Sequence, residues 1–282
     1  MAPIKHTVTI MDTVVHYWEY HPKKPTTIVM IHGFRGTHHG LEKIAGELKE
    51  YRLLIPDLPG FGASQAFLHQ PHTVAAYARF VDAFIRSLHL KEPPVLLGHS
   101  FGSVICSQLA ATHPVAINKL ILINPIGSPA LEGPRGLLTR LAVAYYWLGR
   151  SLPPKLSRVW LAAPPIVTIM SVAMTKTKDK ATRTYIHDQH RQHFSSFADS
   201  QVAAEGFKAS ITHDVSQIAQ DIMVPTLLIV GELDDITPLA KQQQLATKLP
   251  NATLAIITDV GHLIHYEKAA EAARQIHAFL RQ

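Results

Sequence analysis

The stretch from residue 94 to residue 104 constrains the fold of this chain more than any other part of the sequence. Residues 95–97 are a short apolar run bounded by a proline and a glycine, which is typical of a strand buried in a parallel sheet. From residue 103 to 113 the apolar side chains recur at helical spacing instead. The pentapeptide Gly-His-Ser-Phe-Gly at 98–102 joins the two segments, so the sequence predicts a sharp strand-to-helix turn with Ser100 at its tip.

Ser100 would occupy strained backbone at such a turn, where Gly98 and Gly102 leave no side chains to crowd it. Its hydroxyl would project above the sheet, close to the first amide groups of the helix, whose dipole favours developing negative charge. A simple glycine-rich turn is the alternative for the pentapeptide taken alone. The strand and the helix on either side favour the interpretation of Ser100 as a nucleophile.

Apolar runs that predict strands alternate with amphipathic segments that predict helices along most of the chain. Two alternating runs near the N-terminus predict an antiparallel hairpin and six later runs predict buried strands: 6–10, 14–19, 27–31, 52–56, 95–97, 119–123, 225–230 and 253–257. Helical patterns occupy 39–51, 73–88, 103–113, 238–249 and 267–280. This alternation predicts the α/β class, with a mostly parallel, twisted, eight-stranded sheet flanked by helices.

The alternation stops between residues 126 and 214. This segment lacks runs typical of a buried strand, and it contains proline pairs, aromatic residues and amphipathic helical pieces. We interpret it as a helical cap inserted after the sixth strand, above the carboxyl edge of the sheet. Residues 1–125 and 215–282 would then form one core domain, interrupted by the cap at 126–214.

Composition limits the classes of protein to which the chain can belong. Its 282 residues, 47% hydrophobic and 17% charged, suit one globular domain with a sizeable insertion, and a single cysteine excludes an internal disulfide and a cysteine-based zinc site. The net charge of +6 is diffuse, so we expect no nucleic-acid partner. We expect a cytoplasmic protein without an integral membrane segment, because the N-terminus lacks an apolar core and the apolar runs at 141–148 and 166–174 are too short to span a bilayer.

A serine hydroxyl is a poor nucleophile unless a base removes its proton and a carboxylate orients that base. Candidates for both partners follow late strands of the predicted sheet. Asp234 and Asp235 come just after the run at 225–230, and His262 follows the run at 253–257. The chain order serine, aspartate, histidine, each placed at the end of a strand, favours one shared site.

These motifs resemble those of the α/β-hydrolase fold superfamily, in its group of capped, esterase- and lipase-like serine hydrolases. The matching segments are 32–34 (His-Gly-Phe), 57–64 (Asp-Leu-Pro-Gly-Phe-Gly-Ala-Ser), 98–102, 231–238 and 261–262. The resemblance covers the whole chain apart from the predicted cap. It implies the α/β-hydrolase fold, but that fold hosts many chemistries and leaves the substrate open.

The resemblance also implies roles for single residues. Ser100 would be the nucleophile and His262 the general base and then the general acid. The acid of the family lies three residues after the strand-end glycine, so Asp234 rather than its neighbour would orient His262. The backbone amides of Phe34 and Phe101 would hold the oxyanion. The resemblance implies no cofactor and no metal.

Residues that contact the substrate are predicted less sharply. Arg35, beside segment 32–34, is a candidate for binding a substrate carboxylate, with a solvated or ion-paired arginine as the alternative. Tyr146, Trp147 and Trp160 are candidates for lining an apolar pocket above Ser100, with packing on the core as the alternative.

Two further features of the predicted cap have open interpretations. Its apolar residues are interspersed with four basic residues, a composition compatible with weak contact at a membrane surface: Arg140, Arg150, Lys155 and Arg158. Three histidines recur at three-residue spacing: His187, His190 and His193. A polar helix face is favoured over a metal site for them, because the sequence offers no matching distal ligand cluster.

The sequence therefore predicts a serine hydrolase that cleaves a small-to-medium apolar carboxylic ester through an acyl-enzyme. A carbon–carbon bond hydrolase of ring-cleavage products and an acyltransferase use the same three side chains and stay open as alternatives. A slow-turnover ligand-binding protein is the alternative from another class. The expected partner is a small-molecule ester or acyl substrate, and the sequence specifies neither its identity nor the oligomeric state.

Overall fold

The computed structural model describes residues 2–129 and 136–282, without the side chains of residues 136–138. The part of the predicted cap at residues 130–135 lies outside the described residues.

One sheet of eight strands forms the centre of the described structure. The strands are β1 Ile4–Ile10, β2 Thr13–Tyr20, β3 Thr27–Ile31, β4 Arg52–Pro56, β5 Val95–His99, β6 Lys119–Ile123, β7 Thr226–Gly231 and β8 Ala252–Ile257. Their spatial order is β1-β2-β4-β3-β5-β6-β7-β8. The pairs β1–β2 and β2–β4 are antiparallel and all other neighbouring pairs are parallel. The predicted fold class is confirmed.

Helices cover both faces of the sheet and also fill the interval between β6 and β7. In chain order they are α1 Glu42–Glu47, α2 Val74–Ser87, α3 Phe101–Thr112, α4 Gly136–Ser151, α5 Pro154–Leu161, α6 Pro164–Met174, α7 Lys180–His193, α8 Ser200–Thr212, α9 Leu239–Lys248, α10 Ile264–Glu267 and α11 Ala269–Leu280. The five helices α4 to α8 all lie between β6 and β7 in the chain. The division into a core and a cap with the boundaries given above stays a prediction.

The central strands are buried on both sides because successive side chains of a strand point to opposite faces. In β3, Val29 and Ile31 belong to the apolar cluster that includes α2 and α3, whereas Ile28 and Met30 belong to the cluster that includes α1 and α11. The parallel strands end at one edge of the sheet, so the loops after β3, β5, β7 and β8 can meet there.

Helix limits differ modestly from the sequence expectation. The helix predicted over 39–51 is a 3₁₀ turn, His38–Leu41, followed by the short α1, because Gly40 and Gly46 lower the helix propensity of this segment. The start of α2 agrees with the prediction: the hydroxyl of Thr73 accepts a hydrogen bond from the amide of Ala76 at 3.2 Å.

Among the described residues, one helical stretch, Pro154–Met174, is long and apolar enough by length and composition to cross a membrane. It consists of α5 and α6 with a short break at residues 162–163. The sequence expectation considered residues 166–174 alone and found them too short. The combined stretch is two separate helices of 8 and 11 residues, and the absence of an integral membrane segment stays a prediction.

Candidate active site

Ser100 lies between β5 and α3 in backbone that non-glycine residues rarely adopt, with φ 52° and ψ −118°. A Cβ at Gly98 would collide with the carbonyl of Gly102, and a Cβ at Gly102 would collide with the carbonyl of Ile31. The two glycines therefore allow the turn to close on itself and to pack against the end of β3. The turn is held by a hydrogen bond from the amide of Ser100 to the carbonyl of Ile123, 3.0 Å long.

His262 connects Ser100 to a carboxylate. It follows β8, and its Nε2 lies 2.9 Å from the Oγ of Ser100. Its Nδ1 lies 2.8 Å from the Oδ2 of Asp234, which follows β7. The structure thus brings together the three side chains that the sequence proposed as nucleophile, base and acid.

Asp234 is buried and accepts hydrogen bonds from its own loop. Its Oδ1 accepts from the amides of Ile236 and Thr237, at 2.7 and 3.0 Å, and its Oδ2 accepts from the hydroxyl of Thr237 at 2.5 Å. Burial alone raises the pKa of this carboxyl, but the charge of His262 and the hydrogen bonds lower it more, to about 2. The neighbouring Asp235 is half-exposed and pairs with Lys176 instead. Asp234, and not Asp235, is therefore the carboxylate that contacts His262.

Asn124 is a buried member of the site that sequence reasoning missed. Its Nδ2 donates to Asp234 Oδ2 at 2.7 Å and lies 3.4 Å from the carbonyl of Gly261, so it joins the loops after β7 and β8. Its backbone is left-handed, with φ 44°, a conformation that asparagine tolerates better than most residues. Its position directly after β6, at the same sheet edge as Ser100, is the signal that could have identified it.

Two further histidines lie behind His262 and were not assigned to the site. His99, next to Ser100, is buried, and its Nε2 lies 3.3 Å from the carbonyl of His262. Burial, followed by the charge of His262, lowers the pKa of His99 to about 3. Its ring packs 4.0 Å from that of His265, whose pKa burial also holds well below its usual value. Both rings are therefore neutral near pH 7, so neither adds a positive charge beside His262.

The loop after β3 lies against the Ser100 turn. A Cβ at Gly33 would be 3.2 Å from the Cβ of Ser100, so the backbone of this loop passes directly beside the serine. His32 braces the loop, because its Nε2 accepts a hydrogen bond from the amide of Leu58 at 2.9 Å. Phe34, which follows Gly33, packs its ring against Phe61. Phe101 is the first residue of α3 and directly follows Ser100, and the amides of Phe34 and Phe101 stay candidates for binding an oxyanion.

Asp57 holds the loop at residues 57–64, the second of the segments that resemble the family. Its carboxylate accepts from the amide of His38 at 2.7 Å and from the amide of Ala63 at 2.8 Å, and it is buried. Gly62 has φ 59°, which suits glycine in the tight turn around this carboxylate. The loop is thereby fixed next to His32.

Arg35 does not have the exposure that binding of a substrate carboxylate requires, and this corrects the sequence expectation. It is only 1% exposed. Its guanidinium donates to carbonyl and hydroxyl oxygens of the segment between β6 and β7, at 2.8 to 3.2 Å: the carbonyls of Phe194 and Leu161, the hydroxyl of Tyr146 and the Oγ of Ser195. Four of its five donors are used, so Arg35 ties the loop after β3 to the inserted helices.

The three aromatic candidates for a pocket lining lie in different surroundings. Tyr146 is buried, stacks on Phe207 with ring centroids 4.2 Å apart, and lies 5.7 Å from the ring of Phe34. Trp147 is 68% exposed. The indole of Trp160 donates to the carbonyl of Tyr145 at 3.1 Å. Of the three, Tyr146 is the one whose ring contacts Phe34 beside the serine.

The three histidines of α7 do not converge on one point. His187 and His190 each place Nδ1 within 2.7 Å of Ser171 Oγ, and His193 stacks on His39 with centroids 3.9 Å apart. Burial, then the charge of His187, lowers the pKa of His190 to about 4.

The donor atoms of a different group could hold an ion, since they lie within 4.8 Å of one another: His38, His39 and Glu42. In that group His38 contacts the carboxylate of Asp57, and His39 contacts the carboxylate of Glu42.

The profile of one protein family, described as the alpha/beta hydrolase fold, matches residues 26–269 of the chain. "Uncharacterized hydrolase YugF" of Bacillus subtilis is 25% identical over 290 residues, covering 100% of this chain and 99% of that protein. "Lipase 3" of a Moraxella species is 25% identical and covers 89% of this chain and 76% of the lipase. A thermophilic esterase from Thermogutta terrifontis has a similar structure, with a TM-score of 0.81 and 22% identity over 99% of this chain and 98% of the esterase. At that identity the structural likeness shows the fold alone.

Proposed function

The chain belongs to the alpha/beta hydrolase fold family, and from that premise we propose that it hydrolyses carboxylic esters through an acyl-enzyme formed on Ser100. One observation carries the proposal: Ser100 Oγ, His262 and Asp234 are joined by contacts of 2.9 and 2.8 Å, in the order that nucleophile activation needs. Relatives named as lipases support ester hydrolysis as the reaction.

In the first half of the reaction, His262 Nε2 takes the hydroxyl proton as Ser100 Oγ bonds to the ester carbonyl carbon. The carbonyl π electrons move to the oxygen, and the amides of Phe34 and Phe101 would donate to that oxyanion. When the tetrahedral intermediate collapses, the carbon–alkoxide bond breaks and His262 protonates the departing alkoxide. The acyl group is then esterified to Ser100.

In the second half, His262 removes a proton from water and the resulting hydroxide adds to the acyl carbon. Collapse of this second intermediate releases the carboxylic acid, and the proton returns from His262 to Ser100 Oγ. The free enzyme is restored, and one water has been consumed for each ester cleaved.

Asp234 contributes through His262. Its carboxylate stays ionised above about pH 2, so it holds a proton on Nδ1 and leaves Nε2 free to accept one from Ser100. It also stabilises the positive charge that His262 carries in both intermediates. Asn124 and Thr237 keep the carboxylate in place for that purpose.

A small-to-medium apolar ester is the substrate class that the surroundings favour. Phe34, Tyr146 and Phe207 pack together beside the serine loop and supply apolar surface from both the sheet edge and the inserted helices. In this proposal residues 126–214 act as the cap over the site. A cytoplasmic location stays a prediction.

The carbon–carbon hydrolase alternative uses the same three side chains and stays open. Arg35 does not support it, because its guanidinium is buried and bonded to the segment between β6 and β7 instead of being available to a substrate carboxylate. Acyl transfer and slow ligand binding stay alternatives. Product analysis with an added alcohol acceptor separates acyl transfer from hydrolysis, and tight stoichiometric binding without turnover would identify a ligand-binding protein.

The test is hydrolysis of p-nitrophenyl esters, from acetyl to dodecanoyl, by the wild-type protein and by Ser100→Ala. We expect turnover by the wild type and a loss of kcat/KM of about a thousandfold or more in the variant. Ser107→Ala is the matched control, because Ser107 is a buried serine of α3, the helix that follows Ser100, and its hydroxyl makes no hydrogen bond to His262. Equal rates for wild type and Ser100→Ala, or a wild type inert toward the whole series, would contradict the proposal.

A further inference from the structure

Large apolar side chains are exposed far more densely in one part of the molecule than elsewhere. Sixteen large apolar side chains are exposed among the described residues. Nine of them lie between residues 141 and 172, on α4, α5 and α6. Trp147 is 68% exposed, Val159 71% and Ile169 64%. An apolar concentration of this kind on a surface marks a site of interaction.

The three helices follow one another in the chain, and we treat their exposed side chains together as one surface. α4 packs against α5, where the hydroxyl of Tyr145 donates to the carbonyl of Trp160 at 3.0 Å, and α6 follows α5 after two residues. We call this surface the apolar face. The members used below are Leu141, Trp147, Leu156, Val159, Ile169 and Val172.

The side-chain pattern of α5 and α6 is reversed relative to a helix that faces water. The buried residues are Ser157 and Leu161 in α5 and Val167 and Ser171 in α6. In each helix the two are four residues apart, so one narrow stripe faces the protein. Each stripe buries one serine and one aliphatic residue, while further large apolar side chains of the same helices are exposed, which contact with water does not select.

The charge of the same segment has one sign. From residue 136 to residue 178 the sequence contains no aspartate or glutamate, and it contains six basic residues: Arg140, Arg150, Lys155, Arg158, Lys176 and Lys178. Arg140, Arg150 and Lys155 are exposed on or between the helices of the apolar face. Exposed apolar and basic side chains without acidic ones complement a bilayer surface that carries anionic headgroups.

We propose that the apolar face docks on a lipid bilayer that contains anionic lipid. The apolar side chains enter the boundary between headgroups and acyl chains, and the basic side chains contact the headgroups. The face lies on the membrane and does not span it. Pro154–Met174 is two helices, and the buried stripe of each holds it to the rest of the protein.

The docked face would adjoin the candidate active site. Lys176 follows α6 and pairs with Asp235. Its side chain also lies against Gly261, because a Cβ at that glycine would be 2.7 Å from Lys176 Cγ. The segment after α6 thus contacts the loops that hold Asp234 and His262. Docking would bring these loops close to the bilayer surface, but the docking proposal does not depend on ester hydrolysis.

The experiment is co-sedimentation of the full chain with vesicles of phosphatidylcholine and phosphatidylglycerol, carried out in the Ser100→Ala background so that the lipid is not consumed. We expect the protein to pellet with these vesicles. Trp147→Glu combined with Val159→Glu should lower the partition coefficient by about tenfold or more, because two charges would have to enter the interface. Arg150→Gln and Lys155→Gln should each lower it about fivefold, and only when phosphatidylglycerol is present.

Val115→Glu is the matched control, because Val115 is an exposed apolar residue, 87% accessible, outside the apolar face. It should bind vesicles like the parent protein, and all variants should keep the parental melting temperature. Failure of the Ser100→Ala protein to bind vesicles would overturn the proposal. A loss of binding in Val115→Glu equal to that in the Trp147 and Val159 variant would also overturn it. So would finding that the protein self-associates and that the Trp147 and Val159 substitutions convert it to a monomer without changing vesicle binding.

Discussion

Asp234 is a buried carboxylate that five donors contact. They come from Asn124, His262, Ile236 and Thr237, of which Thr237 supplies both its amide and its hydroxyl. Burial of a carboxylate is costly unless hydrogen bonds replace its water, so this arrangement both ionises Asp234 and fixes its direction. Its place after β7 made it predictable from the sequence. Asn124 was not predictable in the same way, because its contact with Asp234 spans 110 residues and depends on how β6 and β7 pair.

Asn124 allows a direct test of how far Asp234 depends on its neighbours. We expect Asn124→Gly to lower kcat by about tenfold with little change in KM, because a hydrogen bond to a charged group is lost while the left-handed backbone is preserved. Steady-state kinetics on the best p-nitrophenyl ester measures both constants. Asn118→Gly, at an exposed asparagine near the start of β6, is the control and should leave both unchanged. An unaltered kcat in Asn124→Gly would show that Asn124 does not position the carboxylate.

At the scale of elements, the Ser100 turn depends on glycines that permit backbone contact. Gly98→Ala should destabilise the protein by about 4 kcal/mol or more, because its Cβ would collide with the backbone of Gly102, which cannot move away without displacing α3. Gly46→Ala is the matched control. A Cβ there meets nothing within 4 Å, and alanine should stabilise α1 by about 0.5–1 kcal/mol. Urea unfolding of both variants measures the difference, and equal stabilities would contradict the packing described for the turn.

Arg35 is the main polar connection between the loop after β3 and the inserted helices. We expect Arg35→Met to destabilise the protein by about 3 kcal/mol, because the carbonyls of Leu161 and Phe194 lose buried partners. Cleavage between residues 136 and 212 should become faster in limited proteolysis. Arg86→Met, at an exposed arginine of α2, is the control. If Arg35→Met instead weakened only the binding of carboxylate-bearing substrates, with stability intact, the sequence-based assignment of Arg35 would be reinstated.

The sequence-based predictions were most accurate for elements whose pattern is local. Each strand is predictable because apolar residues either alternate or run together over three to six positions, as in Thr27–Ile31, where every residue is buried. The helices between β6 and β7 could be recognised as helical from their pattern. Their orientation could not, because Ser157 and Ser171 are buried while Val159 and Ile169 are exposed, against the usual hydrophobic rule. The burial of Arg35 depends on the same packing and was missed for the same reason.

Across the whole molecule, buried neutral histidines make stability depend on pH. The pKa values of His99 and His190 are lowered by burial to about 3 and about 4, and that of His265 is lowered well below its usual value, whereas unfolded histidine titrates near 6.5. Below pH 6.5 the unfolded chain therefore binds more protons than the folded one. The stability contributed by these groups is complete above about pH 6.5 and is lost as the pH falls towards their folded pKa values.

The expected result is a free energy of unfolding that falls between pH 6.5 and pH 4, with a slope of up to about 1.4 kcal/mol per pH unit for each buried histidine. Urea unfolding at several pH values measures the slope. His99→Gln should make it shallower, and His69→Gln, at an exposed histidine, should leave it unchanged. A slope that is the same in wild type and His99→Gln would argue against a buried neutral His99.

The central claim is that Ser100 is a nucleophile activated by His262, and covalent labelling tests it most directly. A fluorophosphonate phosphonylates an activated serine Oγ with loss of fluoride, and intact-mass and peptide mass spectrometry locate the adduct. We predict one adduct per chain, on the peptide that contains Ser100, with labelling abolished in Ser100→Ala and slowed at least about a thousandfold in His262→Ala. An adduct on another residue, or labelling of the wild type no faster than of His262→Ala, would contradict the account.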